Sequence, residues 1–288
     1  MLLQDFLPIS ALRSYVRCFR IIHFCFDPTQ PVPYKAYPPK PEQTLHFFLK
    51  KPFLIETKNK DKLQPDSILF TAQQTSLVNH FTEHDFIDVQ IVFQPTAVFQ
   101  LTGIPATELI NQFLEGTIIF PKTVQSTFSQ LHEAMDYTEI IPILEAFALR
   151  LIHKSKREKI LLDAVCGQME HYYGNVSMDG LAKQACYSIK QFKRKFAERV
   201  GLNPKTYARI LRLNRAYNIR NCFAGKSWNA IALQCGYTDY QHLAKDYKEF
   251  NGLTPAELHS LEKTSPESVL GLSKSIYRNR FTAPFVNP

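Results

Sequence analysis

Several patterns that define common protein classes are missing from the 288-residue chain. It has no apolar run of about 18 residues, so nothing reads as a membrane span. Its start, MLLQDFLPIS, lacks a basic stretch followed by an apolar one, so a secretory signal is not expected. The six cysteines, Cys18, Cys25, Cys166, Cys186, Cys222 and Cys235, are scattered and form no CxxC pair. That usage suits free thiols in a reducing cytoplasm better than disulfides or zinc. No nucleophile–base pair, phosphate loop or metal-ligand spacing stands out, so the expectation is a protein without enzymatic activity, cofactor or metal. The RNP-like and GXXG patterns of RNA-binding modules are absent too.

What is present divides the chain in two, as its length suggests. Residues 1–156 carry 14 Lys and Arg against 15 Asp and Glu. Residues 157–260 carry 16 against 9, and the remainder 4 against 2. A basic segment joined to a neutral one points to a polyanion-binding module with a separate partner domain.

The neutral part begins β-rich. LHFFLKKPFLIET, DSILFTA and DFIDVQIVF are strand-like runs separated by turn residues. Six prolines between Asp27 and Pro41 favour extended or looped chain. Past Pro95 the apolar spacing becomes helical over Ala106–Leu114, Thr123–Met135 and Ile140–His153, with Thr107 as a cap and Pro142 near a helix start. The charged stretch HKSKREK, 153–159, marks the boundary. The expected organisation is α+β: a β-rich domain with helices over 1–155, an all-α domain over 156–261, and a poorly ordered tail over 262–288.

The all-α part repeats. LAKQACYSIKQFKRKFAERVGLNPKTY from Leu181 aligns with IALQCGYTDYQHLAKDYKEFNGLTPAEL from Ile231, through Ala182/Ala232, Tyr187/Tyr237, Phe196/Tyr247, Gly201/Gly252 and Pro204/Pro255. Each copy reads as helix, tight turn, helix. In the first, Ser188 caps a helix whose buried stripe is Ile189, Phe192 and Phe196, and Gly201 and Pro204 end it. In the second, Gly236 serves the turn, Thr238 or Asp239 caps, and Leu243, Tyr247 and Phe250 form the stripe.

The outer face of the first candidate recognition helix carries Lys190, Lys193, Arg194 and Lys195. An apolar back with a basic front suits the DNA major groove, where Lys and Arg neutralise phosphates and read guanine. The second helix offers Tyr240, Gln241, His242 and Lys245 beside Asp239, Asp246 and Glu249. Gln241 suits adenine, and the acids are expected to weaken phosphate binding. Between the copies, TYARILRLNRAYNIRNCF predicts one helix, basic through Arg209, Arg212, Arg215 and Arg220. About 17 residues make a rod of roughly 25 Å, near the spacing needed to hold two readers one DNA turn apart.

At these residues the chain resembles the AraC/XylS family of transcriptional regulators, over about Lys159 to Ser260. The resemblance lies in the two motifs and in RILRLNRA between them. It implies a DNA-binding regulator with Ser188, Lys190, Gln191, Lys193, Arg194 and Lys195 at the first recognition helix and Thr238, Tyr240, Gln241, His242 and Lys245 at the second. Tyr240 and His242 depart from the usual pattern, which leaves base preference there open. The resemblance also implies an effector-sensing or dimerising N-terminal domain, cupin-like in its β-rich start. Double-stranded DNA is then the partner, with a small-molecule effector, RNA polymerase and a second copy of the chain as further candidates. His80 and His84, near Glu83 and Asp85, read as a solvated polar loop. The many N-terminal phenylalanines read as core packing or as pocket lining. Lys195 and Arg199 read equally well as solvated charges, and Cys186 and Cys235 as small turn residues.

Overall fold

A computed structural model of the chain describes residues 1–121, 123–155, 160–273 and Tyr277. Two antiparallel sheets make up the first part. The larger runs β1 (Leu2–Phe6), β2 (Val16–Cys25), β9 (Asp85–Phe93), β4 (Thr44–Phe48), β7 (Ile68–Thr71) and β10 (Phe113–Glu115). The smaller runs β3 (Lys35–Tyr37), β8 (Val78–Phe81), β5 (Leu54–Glu56) and β6 (Lys62–Leu63). The sheets stay separate rather than closing into one ring.

Two-residue alternation decides which side chain faces which layer. Phe19 and Ile21 of β2, Leu45 and Phe47 of β4, Phe70 of β7, and Val89 and Ile91 of β9 point to one face. There they bury against helices α1 (Ala97–Thr102), α2 (Gly116–Ile119), α3 (Val124–Glu133) and α4 (Tyr137–Lys154). The other face looks toward the smaller sheet. It carries Ile22, Phe24, Phe48 and Phe86, packed with Phe53, Ile55 and Val78. On that same face Arg20 pairs in register with Gln90, and Gln90 with His46. Polar groups thus lie between two sheets, where apolar packing is the rule.

Three local expectations change. The helix expected over Ala106–Leu114 is a 3-10 turn at Ala106–Glu108 followed by β10. Asn111 adopts φ 59°, which breaks helical geometry, and its Oδ1 accepts from the Thr75 amide at 2.7 Å. Phe113 and Leu114 then gain sheet hydrogen bonds on β7. Thr107 therefore caps no α-helix. Pro142 lies inside α4, which starts earlier because Asp136 caps it by accepting from the Thr138 amide.

The second part is helical: α5 (Leu161–His171), α6 (Met178–Gln184), α7 (Ile189–Val200), α8 (Pro204–Cys222), α9 (Trp228–Gln234), α10 (Tyr240–Asn251), α11 (Pro255–Lys263) and α12 (Pro266–Val269). One apolar cluster spans these helices and includes Ala36 of β3. The expected boundary at 156–159 lies outside the described residues. So do 274–276 and 278–288 of the expected tail. The tail's described part departs from expectation: it forms α12, and Ser265, Pro266, Glu267 and Tyr277 are buried. The physical reason is Lys35. This buried ammonium meets Glu267 at 2.5 Å, and it also meets Glu262 and, at 3.2 Å, the Tyr277 hydroxyl. A buried cation needs such partners, and they tie Glu262, Glu267 and Tyr277 to β3.

Candidate nucleic-acid interface

Each repeat forms the anticipated helix, turn and helix. In the first turn Cys186 takes φ 59°, and the matching position of the second is Gly236 at φ 80°. Ser188 and Gln191 make a reciprocal capping box at the start of α7. Both side chains are exposed, yet their hydrogen-bonding capacity goes first to each other and to the helix end. Phe192 and Phe196 are fully buried behind them. Gly201 ends the helix at φ 97°.

Lys190, Lys193 and Arg194, spaced three and four apart, form one exposed face of α7. Lys195 lies to the side, half-buried, 2.9 Å from Glu198. Arg199, for which the sequence allows a solvated charge, is buried instead. It bonds Asp163 at 2.9 Å and stacks on Phe99 with its guanidinium carbon 4.9 Å from the ring centre.

In the second unit Asp239, not Thr238, is the cap, accepting from the His242 amide at 2.9 Å. The His242 ring stays beside Asp239 and the Thr238 hydroxyl. Tyr240 is half-buried against the helical core. Gln241 and Lys245 stand exposed four residues apart.

Two acids of α10 are tied to the neighbouring helix α8. Asp246 is buried and accepts from Arg209 at 2.7 Å and from the Tyr237 hydroxyl at 3.0 Å. Glu249 binds the same guanidinium at 2.6 Å. These hydrogen bonds hold Glu249 below its ordinary pKa. The α10 acids therefore orient the helix on α8, with Asp239 as its cap.

The arginines of α8 are likewise structural. Arg209 stacks on Phe250, Arg212 on Tyr237, Arg215 on Tyr173 and Arg220 on Trp228. With 19 residues α8 is a rod of roughly 28 Å, and these stacks fix the second unit and the turn between α5 and α6 to it.

The first part of the chain touches the ends of both candidate recognition helices. A Cβ on Gly201 would come 2.9 Å from the Ala106 carbonyl oxygen. The Leu77 amide donates to the Phe250 carbonyl at 3.1 Å. Buried Glu170 of α5 pairs with Arg17 of β2 and accepts from the Tyr207 hydroxyl at 2.8 Å. Burial raises its pKa despite both partners.

A cavity of about 110 Å³ opens between the sheets. Phe24, Phe53 and Phe86 line it, so part of the N-terminal aromatic set forms a pocket wall and part packs the core. His80 also lines it, buried on β8 rather than in a solvated loop, with its ring stacked on Phe53 at 4.0 Å between centres. Its burial was illegible because VNHF is too short a strand to show a clear alternation.

A helix-turn-helix domain model matches residues 181–260. Over 82 residues the chain is 34% identical to the HTH-type transcriptional regulator ArgR of Pseudomonas aeruginosa. Over 83 residues it is 30% identical to the HTH-type transcriptional activator RhaS of Escherichia coli. Each match covers 28% of this chain and only 25% and 30% of those relatives. Among solved structures, the apo form of a ToxT variant from Vibrio cholerae aligns over 84% of this chain and 97% of its own, with TM-score 0.46 and 12% identity. Wild-type ToxT bound to an unsaturated fatty acid aligns over 83% and 94%, with TM-score 0.43 and 13% identity. No helix among the described residues is long and apolar enough to cross a membrane.

Proposed function

We propose that this chain, whose residues 181–260 match a helix-turn-helix domain and resemble regulators of the AraC/XylS type, is a transcriptional regulator that reads two successive major-groove segments of DNA with α7 and α10. The observation that carries this reading is the pair of repeated units, each with an exposed polar face, held on one rigid α8. Lys190, Lys193 and Arg194 anchor the first unit on phosphates and guanine edges, with Ser188 and Gln191 beside them at the helix start. Lys195 reaches the backbone when it leaves Glu198. Gln241 and Lys245 read the second segment, with Thr238, Tyr240 and His242 shaping the helix start.

Residues 1–155 act as the controlling part, because they meet the C-terminal ends of both recognition helices. A ligand or partner there changes how the two units sit relative to each other. RNA polymerase and a second copy of the chain follow from the family resemblance as further partners.

Footprinting on genomic fragments recovered by the full chain tests this. Two protected major-groove segments about 10 base pairs apart, on one face of the duplex, are expected. Protection of one segment only, or sequence-indifferent protection, contradicts it.

A further inference from the structure

The cavity between the sheets holds polar atoms that the protein leaves without a partner. Asp88 is fully buried. Its Oδ2 accepts from Gln90 Nε2 at 2.6 Å and lies 2.9 Å from His46 Nδ1, while Oδ1 has no partner. His80 is 8% exposed, and its Nε2 is equally unmatched, as is the Thr82 hydroxyl. All three residues line the cavity. Unmade buried hydrogen bonds are costly, so a fold that keeps several around one cavity has a reason to do so.

The cations on the same walls are already committed. Arg20 bonds Asp5 at 2.6 Å and Glu42 at 3.3 Å, and Lys35 bonds Glu262 and Glu267. Lys40 lies over the Tyr37 ring. The free capacity is therefore one carboxylate oxygen, one histidine nitrogen and the Thr82 hydroxyl. Burial, with His46, Lys40 and Lys35 nearby, keeps the His80 ring neutral, able to donate at one nitrogen and accept at the other. Phe24, Phe53, Phe86, Ile22 and Val78 supply the apolar part of the wall, beside the polar Thr44 and Gln74.

We propose that this cavity binds a compact, largely apolar molecule bearing a hydroxyl, amide or protonated amine, whose donor meets Asp88 Oδ1 and whose polar end is completed by His80. This deepens, and rests on, the reading of residues 1–155 as ligand-controlled. The space of about 110 Å³ is smaller than the ~150 Å³ that admits benzene in an engineered cavity. A ring-sized ligand enters only as a wall yields. Pro266, Glu267 and Tyr277 form part of that wall, and the first two open α12, just after α11 at the end of the second unit. Ligand entry thus works against the Lys35–Glu267 contact and reaches the second helix-turn-helix unit.

The test titrates the full chain with phenol, aniline, toluene and benzoate, read by ligand-observed NMR. Phenol and aniline are expected to bind about tenfold more tightly than toluene or benzoate, the effect of one hydrogen bond to a charged group. Asp88→Leu should abolish that preference. His80→Phe, which keeps the stacking, should reduce it even if Asp88→Leu fails to fold. Glu267→Gln should tighten binding by loosening the wall. Toluene or benzoate matching phenol, or no binding at millimolar concentration because the cavity holds solvent only, overturns the assignment. The same preparations are titrated with DNA recovered by the chain. Retained DNA binding without donor preference refutes the cavity ligand alone. Donor preference without any DNA binding refutes the regulator reading and leaves the cavity site standing.

Discussion

Cys186 shows at the scale of one residue how a repeat can differ in cost. Its backbone is left-handed at φ 59°, where the second unit uses Gly236. A side chain with a Cβ is strained there, and glycine is not. Cys186→Gly should therefore stabilise the chain, by up to about 1 kcal/mol in urea unfolding. A loss of stability would show that the exposed thiol has a packing role. His80 carries the clearest pH dependence. Burial first, then the nearby His46, Lys40 and Lys35, hold it well below the ordinary histidine value. Above pH ~6.5 both folded and unfolded states leave it neutral, and it has no effect. Below that, the unfolded chain takes up a proton the folded chain refuses, so stability falls by up to about 1.4 kcal/mol per pH unit. His259, held at about 4 by partial burial and by Arg220 and Lys263, adds a slope of the same sign. Urea midpoints on either side of pH ~6.5 should converge in His80→Phe relative to the parent chain. An unchanged gap would place the titration elsewhere.

Between elements, the decisive contacts join the sheets to the ends of the helices. Gly201 has φ 97°, and a Cβ there would lie 2.5 Å from Ile110 and 2.9 Å from the Ala106 carbonyl oxygen. Gly201→Ala should cost more than about 1 kcal/mol and raise hydrogen exchange at both α7 and 106–110. If exchange rises only in α7, the two parts do not communicate through this contact. The helix-turn-helix elements were legible because their signals are local: a cap, a stripe at three- and four-residue spacing, and a closing glycine and proline. Ser188, Phe192, Phe196 and Gly201 needed no distant partner to be placed. What escaped reading depends on distant partners. Arg199 looked solvated until Asp163 and Phe99 came beside it. Asp246 looked like a deterrent to DNA until Arg209 and Tyr237 claimed it. The segment after 261 looked like a tail because nothing in it announces Lys35, more than two hundred residues earlier. His80 and Asp88 became a site only through the pairing of strands and the facing of two sheets.

On the proposed reading, the whole molecule links the cavity to the DNA-reading units through contacts that include Gly201 on the 106–110 segment, Leu77 on the end of α10, and Lys35 on the acids after α11. The two units are unequal. The first presents three exposed cations on one face, whereas the second presents Gln241 and Lys245 while Asp246 and Glu249 are spent on Arg209. The proposed function therefore makes the first unit the anchor and the second, nearer the Lys35 contact, the one through which control would act. The most direct test of the central claim is the salt dependence of DNA binding by the full chain and by the double variant Lys193→Ala/Arg194→Ala. Both residues are exposed, so the fold should survive. The slope of log affinity against log salt should fall in magnitude by about 2, with weaker binding at every salt concentration. Equal slopes and equal affinities for the two proteins would contradict the account.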